Sequence, residues 1–360
     1  MAVKSKNLTG SVAQTPRLAR DGKTATNGYQ QSPVDTLQHL LLPEIVHEGS
    51  VVEQHIREGR FQRSLALITA FASLLGGLEV TYEHYRGSYG QRIMYTPVIL
   101  SFTTFFASLW AIFNRWAARV LMPIMSLLLL IDGVVGFFFH IRGIQRKPGG
   151  WRIPIFNLIM GPPVFAPLLL GISGFLGLIA SFLRREDDPE PLAQTQPKNT
   201  TTTNTTRSPW TRLLPVNIVK EGSVLEQDVR EGRFQRMLAA AMAISAFFNG
   251  AESLYSHYKN RFSYKVQWTP ILLTPLLIIA GLGAVWNRTI ARTLLPIASL
   301  LALLDGSIGF LYHIRGVIRR PGGIKKPIYN ILYGPPIFAP LLYAASGFLG
   351  LLAFLLRRER

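Results

Sequence analysis

Eight long apolar segments dominate this sequence of 360 residues. Each covers about 18–23 residues, enough helix to cross a hydrocarbon core of about 30 Å. Since lipid offers no hydrogen-bonding partner to the backbone, such segments fold as helices. Only 16% of the residues are charged, against about a quarter in an ordinary soluble domain. The pattern predicts an all-α integral membrane protein.

The eight segments form two sets of four, because the sequence repeats itself at a constant offset of 173 residues. Residues 48–186 align without a gap onto residues 221–359, so that EGSVVEQHIREGRFQR recurs as EGSVLEQDVREGRFQR and GPPVFAPLL as GPPIFAPLL. An even number of spans gives both copies the same orientation in the membrane. We therefore expect two tandem four-helix transmembrane bundles, a parallel repeat whose pseudo-two-fold axis follows the membrane normal.

The repeat sets the expected domain boundaries. Residues 1–43 form a polar, basic tail without the apolar core of a signal peptide, and we expect it to be disordered. Residues 44–186 are the first four-span repeat, residues 187–215 a flexible linker rich in Thr and Asn, and residues 216–360 the second repeat.

Within a repeat, charged residues, Pro and Gly mark the ends of the elements. Ser50 with Glu53, like Ser223 with Glu226, has the spacing of a capping box and predicts the start of a short surface helix. The four spans of the first copy are expected at residues 63–85, 96–115, 119–140 and 164–185. Small residues at 171, 174 and 177 predict close helix contact in the fourth span.

The net charge of +18 would suggest nucleic acid in a soluble protein. Here the basic residues flank apolar segments, so lipid headgroups and membrane topology explain them, and we expect no nucleic-acid binding. The side that holds the termini and the linker (the terminus side) carries more Lys and Arg than the opposite, far side. The positive-inside rule therefore places the termini and the linker in the cytosol.

The loops of the far side are basic, with Glu83 as their only acidic residue. Such a rim suggests an anionic partner protein, anionic lipid, or a cofactor that carries carboxylates or phosphates. The rim consists of Arg86, Arg142, Arg146, Lys259, Arg315 and Arg319.

Ionisable residues occupy matched positions inside the spans of both copies, where they are costly to insert. The carboxylates form one predicted layer, made of Glu79, Asp132, Glu252 and Asp305. The histidines form a second layer nearer the far surface, where they close the first and third spans: His84, His140, His257 and His313. At a rise of about 1.5 Å per residue, Asp132 and His140 lie about 12 Å apart along one helix and cannot bind the same ion.

Two interpretations of the histidines are open. They are interfacial hydrogen-bonding residues beside Tyr82 and Tyr85, or they are paired axial ligands of a b-type haem in each copy, with the rim cations at the propionates. Gly136, between Asp132 and His140, would then let a flat group approach the backbone. Proton transfer and quinone contact are further readings. Because the chain has no Cys, iron–sulfur clusters and covalent c-type haem are excluded.

The carboxylates have a structural and a functional interpretation. In the structural interpretation they hold helices together by hydrogen bonds: Glu79 bonds to Tyr82, and Asp132 bonds to Ser126 or to a neighbouring helix. In the functional interpretation they form a proton or cation relay. The far loop around Pro148-Gly149-Gly150 predicts a tight turn, with an anion-holding backbone nest as the alternative.

No catalytic grouping is present, which argues against a stand-alone enzyme. The leading hypothesis is a membrane-embedded subunit or anchor of a larger, redox complex that docks its partner on the basic far side. The alternatives are a transporter or channel that uses the intramembrane carboxylates, and a scaffold without a ligand.

Overall fold

The computed structural model describes residues 43–188 and 224–359, with side chains from residue 48 onward in the first range. The predicted tail up to residue 42, the predicted linker from residue 189 and the start of the predicted second repeat lie outside these ranges. Within them the chain is helical, without a strand. From Ser50 onward it forms one compact unit.

Five longer helices and one short helix lie in the first range. A helix at Pro43–Arg57 (α1) is followed by Gln62–Arg86 (α2), Thr96–Phe113 (α3), Met122–Gln145 (α4) and Ala166–Phe182 (α5). A π-helical segment at Ala117–Leu121 leads into α4, and a short helix at Pro154–Ile159 precedes α5.

The second range has the same order of helices. After a helical segment at residues 224–230 come Gln235–Lys259 (α6), Thr269–Trp286 (α7), Leu294–Ile318 (α8) and Ala339–Leu355 (α9). Short helices lie at Arg288–Arg292 and Pro327–Tyr333. We call α2–α5 the first half and α6–α9 the second half.

Six of these helices are long and apolar enough to cross a membrane. They are α2, α3, α4, α6, α7 and α8, so the prediction of an all-α membrane protein is confirmed at this level. The remaining two, α5 and α9, are apolar but have only 17 residues each. Eight membrane crossings, and the orientation of the two halves in the bilayer, therefore stay predictions.

Each half packs as a ring of four helices. In the first half α2 contacts α3 and α5, and α4 contacts the same two helices; in the second half α6 and α8 each contact α7 and α9. Small residues make these close contacts possible. At Gly174, for example, a Cβ atom would lie only 2.5 Å from the backbone oxygen of Ser126, so a larger residue does not fit there. The prediction of close helix contact along α5 is confirmed. The two halves meet where α5 packs on α6 and α9 on α2.

Several predicted boundaries differ from the structure. Ser50 lies inside α1, which already begins at Pro43, so the capping box predicted there is wrong; its counterpart Ser223 lies outside the described residues. The Glu53–Arg57 pair on the same helix is formed, at 2.7 Å.

The third and fourth spans also differ from their predicted limits. The third helix does not end at His140 but continues to Gln145, because no helix breaker occurs before Pro148. The fourth helix begins at Ala166 instead of directly after Pro163, and it ends at Phe182 instead of at Arg185. Pro167 lies in the first turn of the helix, where its missing N–H costs no hydrogen bond, so the helix begins at the residue before it.

Candidate functional site: the polar layer and its surroundings

The two carboxylates of the first helices join the two halves. Glu79 in α2 accepts a hydrogen bond from the backbone N–H of Phe338, directly before α9. Glu252 in α6 does the same with Phe165, directly before α5. Each glutamate thus binds a free N–H at the start of the last helix of the other half, where the helix dipole favours negative charge. The expected contact of Glu79 with Tyr82 is replaced by this longer-range bond.

Two tyrosines reinforce the contact one turn further along. Tyr255 donates its hydroxyl to the backbone oxygen of Gly161 at 3.2 Å, and Tyr82 donates to Gly334 at 3.5 Å. Both acceptors belong to the Gly-Pro-Pro breaks of the opposite half. The boundary between the halves is therefore polar at this depth, although it lies among apolar helices.

The aspartates of the layer bond within their own halves. Asp132 accepts a hydrogen bond of 2.6 Å from the hydroxyl of Thr96, at the start of α3. Asp305 is bonded in the same way to Thr269. Of the two predicted partners of Asp132, Ser126 or a neighbouring helix, the structure shows the neighbouring helix. The hydroxyl of Ser126 forms no hydrogen bond with it.

All four histidines share one hydrogen-bonding pattern. His84 Nδ1 bonds to the backbone oxygen of Met94 at 2.7 Å, and His140 Nδ1 bonds to that of Pro163 at 2.5 Å. In the second half His257 pairs with Gln267 at 3.0 Å and His313 with Pro336 at 2.5 Å. Since a carbonyl only accepts, Nδ1 carries the proton and Nε2 is left with its lone pair in the neutral ring.

This tautomer suits a metal-binding imidazole, because ligating histidines commonly donate their other nitrogen to a carbonyl. The space around them does not suit a macrocycle. Gly136, which was expected to admit a flat group, packs on Pro167 of α5, and a Cβ there would lie 2.9 Å from that proline's Cβ. Gly309 meets Pro340 in the same way, at 3.1 Å. The donor atoms fit a haem, but the glycine face is filled by the fourth helix.

No group of three His, Asp or Glu residues able to hold a metal ion occurs among the described residues. His84 is close enough to Asp132 and to His140 for electrostatic interaction, so the two predicted layers approach each other at the far end of the first half.

The far loop forms the predicted tight turn. Gly149 and Gly150 have positive φ angles of 80° and 46°, which glycine adopts without strain. The amide of the buried Asn157 closes the turn by donating to Pro148 and Gly150 at 3.0 and 2.8 Å. Asn330 closes the second loop at 3.3 and 2.9 Å. The turn is therefore held by a buried side chain.

The basic rim divides into two groups. Arg86 and Lys259 lie against tyrosines, with Lys259 Nζ 2.6 Å from the hydroxyl of Tyr255. The other four are exposed and form no ion pair within the described residues: Arg142, Arg146, Arg315 and Arg319. Apart from Arg86 with Glu83, the ion pairs of the described chain lie at the terminus side.

An Arg-Arg-Glu sequence after each fourth helix was missed by the sequence analysis. Arg184 donates to the backbone oxygens of Glu58 and Arg230, the latter at 3.2 Å. The buried Arg185 binds the last carbonyls of α3, at Ala111 and Ile112, at 3.2 and 2.9 Å. Glu186 caps the first N–H groups of α2. The tripeptide recurs at 357–359, where Arg357 donates to the backbone oxygen of Glu231, Arg358 binds the last carbonyls of α7 and Glu359 caps the first N–H groups of α6. This identity was the signal that could have found it.

Asp187 and Asp188, the first residues of the predicted linker, continue this clamp. Asp187 pairs with Arg63 at 2.8 Å, and Asp188 pairs with Arg115 at 3.1 Å. The first residues of the predicted linker are thereby bound to the bundle.

Comparison with protein-family models, with curated proteins and with solved structures gave no match. The residues themselves are therefore the basis for a functional proposal.

Proposed function

We propose that this protein is a membrane-embedded anchoring subunit, built as two like-oriented four-helix halves, that presents its far side to an acidic partner protein. The observation that carries the proposal is the unequal distribution of ion pairs. Arg142, Arg146, Arg315 and Arg319 are exposed and form no ion pair with the described residues. On the terminus side seven arginines are paired with a carboxylate: Arg57, Arg60, Arg63, Arg115, Arg185, Arg230 and Arg233. A surface of one sign attracts a partner of the other sign.

The far loops add an apolar component to this surface. Trp151 and Phe156 are 50% and 61% exposed, and Ile155 between them is 73% exposed. Aromatic and aliphatic side chains beside Arg and Lys suit the boundary of membrane and water. The unpaired cations thus stand at the height where a peripheral domain of another subunit would reach the membrane.

The polar layer serves this role as a structural clamp. Glu79 and Glu252 are bonded to the N-termini of α9 and α5, so the two halves are held in one arrangement. A rigid anchor keeps the four unpaired arginines at fixed positions, which lowers the entropy lost on docking.

The experiment compares two fourfold variants in membranes of the organism that encodes the chain. In the first, Arg142, Arg146, Arg315 and Arg319 are replaced by Gln; in the matched control, Arg57, Arg63, Arg230 and Arg236 are replaced by Gln. Native electrophoresis after mild solubilisation should show the wild type and the control in a complex larger than the 40.2 kDa chain. The far-side variant should migrate as the free chain.

An unchanged complex in the far-side variant would contradict the proposal. If instead the wild type retains only acidic phospholipid, detected by lipid mass spectrometry, the surface binds lipid and not a protein subunit.

The redox version of the proposal pairs His84 with His140 and His257 with His313 as haem ligands. The Nδ1–H tautomers support it, and the Pro167 contact at Gly136 opposes it. A Soret absorbance band in protein purified after expression with haem supply would support this version. A spectrum without that band would end it.

The transport alternative draws on the glutamates at the boundary between the halves. Sites of transporters commonly lie between internal repeats, near the ends of interrupted helices, as Glu79 and Glu252 do. Flux that is unchanged in the double variant Glu79→Gln with Glu252→Gln would remove these carboxylates from any transport mechanism.

A further inference from the structure

A cavity of about 490 Å³ lies at the terminus side of the first half. Binding sites for small molecules commonly have volumes of about 300–1,000 Å³. The walls of this cavity come from the start of α2, the π-helical segment that leads into α4, and the end of α5. The helical segment at residues 224–230 contributes Glu226 and Arg230. Residues of both copies therefore line the cavity.

The lining of the cavity is basic, since five of its residues are arginines and two are acidic. Both carboxylates are already paired. Asp188 binds Arg115 at 3.1 Å, and Glu226 binds Arg230 at 3.1 Å. Five arginines less two carboxylates leave three cations of the lining without an acidic partner in the lining.

These three arginines differ in their contacts. Arg185 is buried and pairs with Asp187, which lies outside the lining. Arg184 donates to two backbone oxygens and forms no ion pair within the described residues. Arg119 is exposed, and its guanidinium has neither an ion pair nor a hydrogen bond within the described ranges. Arg119 and Arg184 can therefore bind an anion, and guanidinium groups suit phosphate oxygens in particular.

A buried amide lies on the same wall. Gln62, the first residue of α2, is 2% exposed, and neither atom of its amide has a hydrogen-bond partner among the described residues. An amide both donates and accepts, which suits a ligand that carries phosphate oxygens beside hydroxyl groups. The matching Gln235 also has an unbonded amide nitrogen. The amide supports a ligand here, but the cavity and its arginines carry the inference.

The local backbone distinguishes the wall that holds Arg119. This residue lies in the π-helical segment at Ala117–Leu121. Such segments are rare and frequently occur at functional sites. In the second copy the matching residue is Arg292, which ends an α-helix at Arg288–Arg292. The two copies thus differ at the arginine that is free to bind a ligand in the first copy.

The arginines stand beside an apolar wall, made of Ala118, Pro123, Phe182 and Leu183. The cavity lies where α2 begins and α5 ends, at the end of the bundle that the sequence predicts to face the membrane surface. Basic pockets between membrane helices bind the acidic headgroups of lipids. A ligand with a phosphate group and an apolar part would find contacts for both.

We propose that this cavity binds the phosphate group of an anionic ligand, with Arg119 and Arg184 as its cationic contacts. The apolar wall favours an acidic phospholipid as the source of that phosphate. A soluble phosphorylated compound has the same phosphate chemistry, and the test separates the two sources. The site lies at the terminus side, so the inference does not rest on the docking of a partner at the far side.

The test uses the purified full chain in an uncharged detergent, after removal of co-purified lipid. The probes are dioctanoyl phosphatidylglycerol, dioctanoyl phosphatidylcholine and inorganic phosphate. Native mass spectrometry counts the bound molecules, and the shift in unfolding midpoint measures their binding, because a ligand of the folded state stabilises it. The wild type should bind phosphatidylglycerol in preference to phosphatidylcholine, which carries no net charge.

Two variants and two controls locate the site. Arg119→Gln should weaken the binding by about tenfold or more, since it removes a charged hydrogen-bond donor. Ser181→Phe introduces into the lining the residue that stands at the matching position 354, and it should weaken binding without removing a charge. Arg236→Gln, at an exposed arginine of the terminus side outside the lining, should bind as the wild type does. The fourfold far-side variant should also bind normally, which separates this site from lipid held at the far side.

Phosphatidylglycerol that binds more tightly than inorganic phosphate would support the proposal and identify the ligand as a lipid. Inorganic phosphate that binds as tightly, and is lost in Arg119→Gln, would support it with a soluble phosphorylated ligand. Absence of binding by both anions, or equal binding in the wild type and Arg119→Gln, would overturn it. If Arg119→Gln fails to fold, unchanged binding in Ser181→Phe would overturn it instead.

Discussion

The carboxylate of Glu79 accepts a hydrogen bond from the backbone N–H of Phe338, which lies directly before the last helix of the other half. Glu252 and Phe165 form the reciprocal pair. Capping interactions of this kind contribute about 0.5–2 kcal/mol each. We expect Glu79→Ala combined with Glu252→Ala to lower the thermal stability of the purified protein more than either change alone.

The control for this pair is Glu53→Ala. Among the described residues its ion-pair partner is Arg57, on the surface of α1, and exposed pairs contribute about 0–1 kcal/mol. Thermal unfolding in detergent, followed by light scattering, is measured for all five proteins: the wild type, the two single variants, the double variant and the control. Equal midpoints for the double variant and the wild type would show that the two bonds do not hold the halves together.

Replacing Arg185 should destabilise the protein more than replacing most of its other cationic residues. It is 5% exposed and binds the last carbonyls of α3 through two nitrogens. Hydrogen bonds to charged groups are worth about 1.5–3 kcal/mol, so Arg185→Ala should be strongly destabilising. Arg185→Lys should recover only part of the loss, because an ammonium group cannot reproduce the two-pronged contact.

The same unfolding assay tests Arg185, with Arg57→Ala as the exposed control. Full recovery by Lys would indicate that charge alone matters at this position. The second copy offers a replicate, since Arg358 contacts Ala284 and Val285 in the same way.

Asn157 should keep the far loop closed. Its amide donates to the carbonyls of Pro148 and Gly150, and the carboxylate of Asn157→Asp cannot donate to either. We expect faster tryptic cleavage after Arg146 and Arg152 in this variant, with the fragments identified by mass spectrometry. The exposed Gln145→Ala is the control, and equal cleavage rates in the two variants would contradict the role given to the amide.

The stability of the folded protein should depend slightly on pH through Glu58, on the terminus side. The hydrogen bond from Gln54, helped by the nearby Arg60, lowers the pKa of Glu58 below its ordinary value of 4.5. A carboxylate with a lowered pKa in the folded state stabilises the protein above its unfolded pKa and loses this effect as the pH falls through the folded pKa.

The corresponding measurement is the difference in unfolding midpoint between the wild type and Glu58→Gln from pH 6 down to pH 3. The wild type should be the more stable protein at pH 6, by a small margin because the side chain is partly exposed, and the difference should shrink at pH values below 4.5. A difference that grows towards low pH would contradict the sign of this shift.

The helix limits were predictable where the sequence contains a strong breaker. The first span was expected at residues 63–85 and found at Gln62–Arg86, because Gly59 and Gly87 flank it. The second begins at Thr96 as expected, since Pro97 suits the first turn. The third ran past its expected end, because a histidine does not stop a helix and Pro148 does.

The hydrogen bonds between the halves could not be predicted from sequence patterns. The duplication identifies matched residues within the two copies, but it does not reveal which faces pack on each other. Glu79 was therefore expected to contact a residue on its own helix, and its actual partner is a backbone N–H without any sequence signature. The Arg-Arg-Glu clamp was equally hidden, because charged residues after a membrane helix also serve as plain topology signals.

The last prediction concerns Gly59 and Gly232, where the loops after the surface helices of the two copies meet. Both have positive φ angles, 70° and 68°, and each stands against the backbone of the other loop. A Cβ at Gly59 would lie 2.8 Å from the nitrogen of Gly232, and it would overlap the backbone oxygen of Arg230. Because backbone atoms cannot move aside as a side chain does, Gly59→Ala combines a left-handed conformation, which costs about 1–2 kcal/mol, with this overlap.

Gly49 is the matched control, since a Cβ at that position meets nothing within 4 Å. It lies inside the helix α1, where Ala is favoured over Gly by about 1 kcal/mol, so Gly49→Ala should be neutral or stabilising. The two substitutions are chemically identical and differ only in their surroundings. If Gly59→Ala unfolded at the same temperature as Gly49→Ala, the loops could not be in contact, and the pairing of the two halves at the terminus side would have to be abandoned.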